Sequence, residues 1–469
     1  MSDGVGEEAE SVGSDGRVSV STILSYSPPV VGLSGPLFLV QFYFLNFATD
    51  VLLLAPLSVG LLFAAGRVWD AVSDPIVGTL SDRTRTRLGR RRPWMLAGIP
   101  LLMLSFVMIW SPPDFGPSGM YVWTTVSLFA FYTAFTMYSV PHSALGAELT
   151  TDYFERNRIF GANSAAFTFG MLLSFGGMQY VMNAEDSRLA ASHVAFAVAA
   201  ALPFILLVPP VRLRERMEYQ GRGASSSLGA MRDVLANPHA RLLLTVQFCQ
   251  LAGAGVLGLM APYLMRYVVK RPDLVGVVPG IFVVLTIVSI PIWLRITRRV
   301  GKKSAWITGL LGTGLSFGGI LLVGEGDLVL LGVLLACAGF FAGCGMMVGN
   351  SILADVIDWD ELQTGERKEG AYSAAWGFAI KSATAIIIVL VSVALQFSDF
   401  EANQEQTEAT LWMLRILNGG LPLVMYAIAG TLFMRFGLNE SEHAAVRAEL
   451  DARASAALAS EHIAGGGKS

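Results

Sequence analysis

Residues 57–81 read LSVGLLFAAGRVWDAVSDPIVGTLS, an apolar segment that is interrupted by Arg67, Asp70 and Asp74. The segment is long enough to cross a bilayer as a helix, which takes about 20 residues. A charge at the centre of such a helix costs about 3 kcal/mol even on lenient insertion scales, so each of these side chains needs a partner, water or an ion. The segment therefore predicts a membrane-spanning helix that carries a functional site.

The composition of the whole chain also indicates a protein that is surrounded by lipid. Of its 469 residues, 53% are hydrophobic and only 15% are charged, and the mean hydropathy is +0.56; a soluble protein carries about 25% charged residues. The formal net charge of -3 indicates no nucleic-acid partner. Cys249, Cys337 and Cys344 lie inside apolar runs, without the spacing of a disulfide framework or a metal site. These features exclude an ordinary cytosolic enzyme and a disordered chain.

Apolar runs of membrane-spanning length recur about twelve times, which predicts an all-α membrane protein. The first two runs meet at Ala55 and Pro56, so eleven spans are the alternative count. The predicted spans are 34–56, 57–81, 94–111, 120–143, 159–182, 190–209, 241–264, 275–294, 304–323, 328–353, 371–396 and 409–434.

Arginine and lysine are concentrated in the links that follow even-numbered spans, such as 83–92 and 295–303. The positive-inside rule places these links in the cytoplasm. Four cations on the other side are exceptions to this pattern, namely Arg188, Arg266, Lys270 and Arg271. With an even number of spans, we expect both termini to be cytoplasmic, in a multi-pass protein of the plasma (inner) membrane.

Two short repeats suggest that the chain consists of two related halves. GANSAAF at 161–167 recurs as GAYSAAW at 370–376, and GRRRPW at 89–94 recurs as GKKSAW at 301–306. Their nearly equal offsets favour a duplicated six-helix unit, as in transporters whose halves rock about a central site. The predicted organisation is a disordered cytoplasmic tail (1–30), a six-helix bundle (31–209), a cytoplasmic linker (210–240), a second bundle (241–436) and a cytoplasmic tail (437–469).

Asp70 and Asp74 are four residues apart, so they share one face of the predicted helix, where two carboxylates repel unless a cation or proton lies between them. Ser73 adds a hydroxyl, and such oxygen ligands suit Na+ or Li+, whereas a protonated carboxylate would suit H+. The alternative is a permanent buried ion cluster, in which Arg67 and the intramembrane Lys381 neutralise both carboxylates. Spacing alone does not choose between the ions.

The sequence around this pair resembles a known family. RVWDAVSDP at 67–75, continued by SDRTRTR at 81–87 and GRRRPW at 89–94, is similar to the signature of the glycoside-pentoside-hexuronide:cation symporters. This is the melibiose-permease-like branch of the major facilitator superfamily. Further matches at 144–150, 354–358 and 365–370 extend the resemblance over residues 33 to 436. It implies a major facilitator fold of two pseudo-symmetric six-helix bundles, and symport of a sugar or glycoside with Na+ or H+ by alternating access.

The same resemblance implies a set of cation-binding residues. Asp70, Ser73 and Asp74 on the second span would bind the cation together with Thr136 from the fourth. Lys381 in the eleventh span matches a lysine that lies near both the ion and the substrate sites in the family. We therefore expect Lys381 to couple the two ligands.

The implied substrate positions differ from those of melibiose-type members. Where those members place carboxylates, an arginine and a stacking aromatic, this chain has Ser34, Ser139, Ser164 and Ser143. The predicted cavity is less charged, and it suits another glycoside, an oligosaccharide or an amphiphile such as a lysolipid. An aromatic wall is a further hypothesis, with ordinary packing between helices as its alternative; its candidates are Phe42, Tyr43, Phe44, Phe135 and Tyr138.

The basic turn at 82–92 has two interpretations. A run of arginines beside a membrane determines topology and attracts anionic lipid. In major facilitators, however, this link also forms ion pairs with acidic helix ends, and such pairs bias two conformations without locking them. The predicted cytoplasmic gate comprises Asp82, Arg83, Gly89, Arg90, Glu148, Arg156, Asp355, Glu366 and Arg367.

The chain offers no sequence motif of an enzyme. Its five histidines lack metal-site spacing, and GGGKS at 465–469 lacks the leading glycine and the following helix of a phosphate loop. We expect no cofactor besides the transported Na+ or H+, and no nucleic-acid partner. The expected partners are a small-molecule substrate, a monovalent cation and membrane lipids, with the monomer as the functional form. A membrane sensor that does not transport is the remaining alternative.

Overall fold

The computed structural model describes residues 18–149, 153–213, 232, 234–366, 368–438 and 440–465. Within these ranges, every regular element is a helix. The first eight are α1 (Val20–Tyr26), α2 (Pro29–Asn46), α3 (Pro56–Arg83), α4 (Arg92–Trp110), α5 (Pro117–Glu148), α6 (Tyr153–Met182), α7 (Ser187–Leu206) and α8 (Val208–Arg212). The next eight are α9 (Pro238–Tyr263), α10 (Val277–Val300), α11 (Lys302–Gly318), α12 (Leu328–Thr364), α13 (Glu369–Phe397), α14 (Glu408–Arg415), α15 (Leu421–Met434) and α16 (Glu440–Gly465).

Three short π-helical turns interrupt or extend these helices. One follows α2 (Phe47–Val51), one follows α9 (Leu264–Val268), and one joins α14 to α15 (Ile416–Gly420). Two 3-10 turns, Pro272–Leu274 and Gly319–Leu322, complete the regular structure that is described. A π-helical turn often marks a functional position, because it shifts the direction of side chains within a helix.

The helices confirm a multi-pass membrane architecture. In the described part of the chain, ten helical segments are long and apolar enough to cross a membrane. α3 and α5 are also long, at 28 and 32 residues, but polar side chains interrupt them. Together they give the predicted count of about twelve, and the break between Val51 and Pro56 separates the first two spans.

Large apolar side chains cover the outside of the helices, as a lipid solvent requires. Phe204, Leu322 and Val329 are among the most exposed, at 82%, 78% and 82% of their surface. Proline begins several spans, at Pro29, Pro56 and Pro117. Proline is suited to the first helical turn, since its missing N–H has no partner there in any case.

The described residues group into two compact units. The first contains those of Met1–Gly223, Leu257–Gly280 and Thr384–Leu414, and the second contains those of Ala224–Val256, Ile281–Ala383 and Arg415–Ser469. Each unit combines three segments that are not contiguous in the sequence. The bundles predicted at 31–209 and 241–436, and the cytoplasmic location of both termini, therefore stay predictions.

The two basic turns that repeat in the sequence also share a backbone feature. Gly89 has φ of 103° and Gly301 has φ of 81°, in the left-handed region that only glycine adopts readily. In the first turn, Thr86 and Gly89 form an isolated antiparallel bridge. The matching glycines support the interpretation of the repeats as traces of a duplicated unit.

Close packing of α2 against α6 organises the first unit around small residues. A Cβ atom added to Gly170 would lie 2.0 Å from Ser34 Oγ, 2.9 Å from the Val31 carbonyl oxygen and 3.0 Å from the Gly35 nitrogen. Ser34 is only 1% exposed. Because two of these three atoms belong to the backbone, the contact cannot relax by side-chain rotation alone.

We expect Gly170→Ala to destabilise the protein by about 1–3 kcal/mol, since overpacking forces the two helices apart. Thermal unfolding in detergent should show a lowered melting temperature. Gly161→Ala on the same helix is the matched control, because nothing lies within 4 Å of the added Cβ there. Equal melting temperatures for the two variants would contradict this account of the packing.

Candidate cation site, basic turns and family membership

Four predicted cation-binding residues meet between α3 and α5 in the first unit. Thr136 Oγ1 lies 3.3 Å from Asp70 Oδ1 and 3.1 Å from Asp74 Oδ1. Ser73 Oγ lies 3.1 Å from the same threonine oxygen. Asp70, Ser73 and Thr136 are 2%, 3% and 0% exposed, and Asp74 is half-buried. The structure thus brings together one oxygen atom from each of four side chains.

The helical repeat explains how α3 contributes three of these oxygens. Positions i, i+3 and i+4 lie on one face, so Asp70, Ser73 and Asp74 all point towards α5. Ser73 Oγ also donates to the Asp70 carbonyl oxygen at 3.2 Å, which fixes its rotamer. A Cβ on Gly66, one turn earlier, would lie 3.0 Å from the Tyr132 ring, so the small residue allows α3 and α5 to approach.

Arg67 binds the other side of the Asp70 carboxylate. Its Nη1 lies 3.6 Å from Asp70 Oδ2, and its guanidinium stacks over the Tyr132 ring at 5.5 Å from the centroid. Both charged side chains are almost fully buried, at 6% and 2% exposure. The ion pair that the sequence offered as an alternative to the cation site is therefore present for Asp70. It uses Oδ2, whereas Oδ1 faces Thr136.

The chemistry of this arrangement follows from its donors. Thr136 has a single hydroxyl proton, so it can donate to only one of the two aspartates at a time. Two carboxylates that share one donor in a buried site repel each other strongly when both are ionised. A small cation or a proton among these oxygens relieves that repulsion. Four oxygen ligands, two of them anionic, are the donors that hard cations prefer.

The predicted substrate residues are distributed over several helices. Ser143 and Ser164 are exposed and bond to carbonyl oxygens of their own helices, Val140 at 3.0 Å and Phe160 at 3.0 Å. Ser139 is half-buried, whereas Ser34 is packed in the contact between α2 and α6. Their substrate roles stay predictions.

Lys381, the predicted coupling residue, lies on α13 in the second unit and is half-buried. It is therefore placed within a membrane-spanning helix, as expected from the sequence. Its coupling role stays a prediction.

The candidate aromatic wall separates into packing residues and accessible ones. Tyr43 and Phe44 are 1% exposed and contact Trp110, with ring centroids 5.7 Å and 6.4 Å from it. Tyr138 is buried and donates to the Leu206 carbonyl oxygen at 2.7 Å. These three are helix packing.

Phe42 and Phe135 are the half-buried members of the candidate wall. Phe42 lies in a row of rings, 5.2 Å from Phe38 and 5.6 Å from Phe175 between centroids. Phe135 lies against Phe131 at 6.4 Å. Both pack against neighbouring rings, so their role in a substrate wall stays a prediction.

The basic turn after α3 is held together by its own charges. Asp82 lies 3.4 Å from Arg91 Nη2 and 3.9 Å from Arg90 Nη1. Both arginines are buried at 6% exposure, whereas Arg83 is exposed. Arg92 donates to the carbonyl oxygens of Pro210 and Val211. These contacts fix the turn between α3 and α4.

The acidic gate candidates of the second unit have nearby partners of their own. Lys302 Nζ lies 2.7 Å from Asp355 Oδ2, and His443 Nε2 lies 3.6 Å from Asp355 Oδ1. Glu366 is exposed and lies 3.9 Å from Lys368. The side chains of Glu148 and Arg156, and the whole of Arg367, lie outside the described residues, so the predicted gate stays a prediction.

The sequence indicated an amphipathic helix beyond Arg435 but did not show that this helix, α16, covers the acidic cluster. His443 and Arg447 on α16 lie 3.1 Å and 3.5 Å from Asp358 Oδ2, which packs α16 against the end of α12. The charged, alternating composition of 437–453 was the available signal, although it did not indicate which surface α16 contacts.

We expect Arg67→Gln to destabilise the protein by about 3–5 kcal/mol, because it removes one partner of a buried ion pair. The double variant Arg67→Gln/Asp70→Asn should recover much of that loss, since it removes both charges. Unfolding titrations in detergent micelles measure the difference. Arg188→Gln is the control, as its pair with Asp114 is exposed and contributes about 0–1 kcal/mol. A double variant no more stable than the single one would contradict this role.

Comparison with known proteins agrees with the architecture and the motifs. An uncharacterised symporter of Synechocystis is 25% identical over 93% of this chain and 97% of its own length. The sodium-dependent lysophosphatidylcholine symporter 1 of Xenopus tropicalis is 24% identical over 86% of this chain and 84% of its own.

Among solved structures, a point mutant of the nucleoside transporter NupG superimposes with a TM-score of 0.62. That match has 12% sequence identity and covers 88% of this chain and 98% of the other, so it shows the fold alone. A family match covers residues 25–440 of this chain. The chain is thus a multi-pass membrane protein that belongs to the MFS/sugar transport protein family.

Proposed function

We propose that this chain is a symporter that couples the movement of one monovalent cation, Na+, to that of a single-chain amphiphile of the lysolipid class. The observation that carries the proposal is the sharing of Thr136 by Asp70 and Asp74, at 3.3 Å and 3.1 Å. A symporter needs a buried site whose electrostatic energy changes strongly when the cation enters or leaves. Two carboxylates beside the Thr136 hydroxyl, one of them also paired with Arg67, provide that change.

The donor set favours Na+ over H+ as the coupling ion. A proton needs only one carboxylate, whereas Ser73 and Thr136 add two hydroxyl oxygens at 3.1 Å from each other, next to both aspartates. Neutral oxygen ligands of this kind complete the coordination of a metal cation. The lysophosphatidylcholine symporter that this chain resembles is named as sodium-dependent, in agreement with the same choice.

The substrate class rests on the side chains that replace charged sugar ligands and on the relatives. Serine occupies the four positions at which the resemblance places sugar-binding groups. The carboxylates, the arginine and the stacking aromatic that bind the sugar in melibiose-type members are therefore replaced by small neutral side chains. Phe42 is half-buried beside the buried rings of Phe38 and Phe175, and this row of rings offers apolar contacts that suit a hydrocarbon chain. A sugar or glycoside is the alternative substrate, because the family description names sugar transport.

The mechanism follows from the electrostatics of the site. The cation binds first and offsets the repulsion between Asp70 and Asp74, which lowers the cost of closing the site against water. The substrate then binds, and both ligands cross as the two predicted bundles rock, with Lys381 linking ion and substrate occupancy. A membrane potential of about 100 mV supplies about 2.3 kcal/mol per cation. A tenfold Na+ gradient adds about 1.4 kcal/mol, and the sum supports accumulation of several hundredfold.

We expect Asp74→Asn to abolish Na+-driven uptake, because the amide removes one of the two anionic ligands. Proteoliposomes with an inward Na+ gradient are supplied with fluorescent lysophosphatidylcholine, and uptake is compared with a K+ gradient and with protein-free vesicles. Asp114→Asn is the matched control, since that carboxylate is 93% exposed. Full concentrative uptake by Asp74→Asn would refute the assignment of the cation site.

The same vesicles separate the candidate substrates. Uptake of radiolabelled glycosides in place of the lysolipid would move the substrate to the sugar class while keeping the cation site. Acceleration by a proton gradient alone would replace Na+ by H+. Binding of a ligand without accumulation under any gradient would identify a sensor and overturn symport.

We expect Lys381→Ala to uncouple the two ligands, so that substrate still binds but its uptake no longer depends on Na+. The ratio of initial uptake rates with and without the Na+ gradient measures coupling, and we expect it to fall to about one. Lys381→Arg keeps the charge and should retain part of the ratio. Unchanged transport kinetics in Lys381→Ala would show that the helix carries no coupling residue at this position.

A further inference from the structure

A second buried carboxylate lies in the first unit, outside the proposed cation site. Asp50 is part of the π-helical turn Phe47–Val51, and its side chain has 0% exposure. Its Oδ1 accepts a hydrogen bond from Thr49 Oγ1 at 2.8 Å, and its Oδ2 accepts one from Tyr267 Oη at 2.5 Å. Arg266 Nη1 lies 3.5 Å from Oδ2. The charge is thus both paired and hydrogen-bonded.

The partners of Asp50 come from three distant parts of the sequence. Thr49 Oγ1 lies 2.8 Å from Tyr263 Oη at the end of α9. Asn403, in the link between α13 and α14, donates through Nδ2 to the Asp50 carbonyl oxygen at 2.8 Å and through its backbone N–H to Tyr267 Oη at 3.0 Å. The end of α2, the end of α9 and this link therefore share one hydrogen-bonded network.

The local backbone at this network is unusual on all three sides. Asp50 lies in one π-helical turn, and Arg266 and Tyr267 lie in another, Leu264–Val268. Asn403 has φ of 61°, in the left-handed region. Such conformations cost free energy, and they recur where a structure changes state or binds a ligand. Three of them around one carboxylate indicate more than a packing contact.

The position of the network in the fold indicates its role. α3 runs from Pro56, just after Asp50, to Arg83, just before the basic turn, so the network lies at the opposite end of that helix from the basic turn. The network joins the end of α2, which precedes the predicted central linker, to the end of α9 and to the link after α13, which both follow that linker. Arg266, an exception to the distribution of cations along the chain, has a structural reason here, because it pairs with Asp50.

We propose that Asp50, Tyr267 and Asn403, with Thr49, Tyr263 and Arg266, form a latch that closes the end of the transporter opposite to the basic turn and opens once in every transport cycle. The inference rests on the proposed function for the statement that the halves move apart. The hydrogen bonds themselves suit a reversible contact, because water can replace each of them when the charged groups separate. An apolar contact of the same size would cost hydrophobic free energy on every opening.

The first test measures whether the latch shields its own interior. Ala48, which is 0% exposed and carries no side-chain hydrogen bond of the network, is replaced by cysteine in a protein whose Cys249, Cys337 and Cys344 are replaced by alanine. A membrane-impermeant maleimide then labels the reporter in sealed vesicles. We expect Tyr267→Phe, which removes the donor to Asp50, to raise the labelling rate about tenfold. Tyr180→Phe, at a tyrosine of α6 that is 54% exposed, is the matched control and should leave the rate unchanged.

Either of two results would overturn the latch. An unchanged labelling rate in Tyr267→Phe would show that the hydrogen bond does not hold this end closed. An equal increase in Tyr180→Phe would show a general loosening of the helices. Neither result depends on the substrate or on the coupling ion, so this test gives an answer even if lysolipid transport proves wrong.

The second test asks whether the network must open during transport. A short bis-maleimide joins cysteines introduced as Thr49→Cys and Tyr263→Cys in the same cysteine-free protein. Uptake should fall to the level of protein-free vesicles after cross-linking, whereas each single cysteine variant treated with the reagent should retain uptake above that level, because its adduct joins no second segment. Undiminished uptake by the cross-linked protein would overturn the proposal, since this end would then stay closed throughout the cycle.

Discussion

Repulsion between two carboxylates one helical turn apart, inside a helix that crosses a bilayer, is the constraint on which the rest of the structure depends. In a medium of low dielectric constant, such charges interact far more strongly than in water. The residues of this pair and of its surroundings lie on α3 and α5. These two long helices contain more polar residues than the ten helical segments that are strongly apolar. The remaining helices supply the apolar surface that keeps the pair within the membrane.

At Asp70, the ion pair with Arg67 and the proposed cation site use different carboxylate oxygens. Arg67 engages Oδ2 at 3.6 Å, while Oδ1 faces Thr136 at 3.3 Å. Stacking of the guanidinium on Tyr132 fixes the arginine in place, and the arginine in turn orients the carboxylate. In the proposed cation site, this ion pair orients the carboxylate so that Oδ1 faces the other ligands. Asp74, half-buried and on the same face, completes the arrangement.

Periodicity made the helical architecture and the core of the candidate site predictable. Apolar runs of fixed length determine the spans, and a spacing of three and four residues determines which side chains on α3 share a face. Thr136 is different, because no local pattern relates it to α3; it was found through the resemblance to a family. The packing of the Ser34 hydroxyl against Gly170 could not be predicted. It depends on how closely two helices approach, which the sequence does not specify. The contacts around Asp50 join segments hundreds of residues apart, and Asn403 carried no signal at all, because such hydrogen bonds depend on tertiary placement.

The helices of the first unit use two kinds of contact, which differ in how they resist movement. At Gly170, backbone meets backbone with no room for one methyl group, so the contact between α2 and α6 is rigid. Around Asp50, the contacts are hydrogen bonds that water can replace, so their separation leaves no unsatisfied group behind. The proposed transport cycle needs both, because rigid helix pairs would transmit the effect of cation binding and hydrated polar contacts would allow an end to open. The small residues and the buried charges of this sequence are therefore complementary requirements of the proposed mechanism.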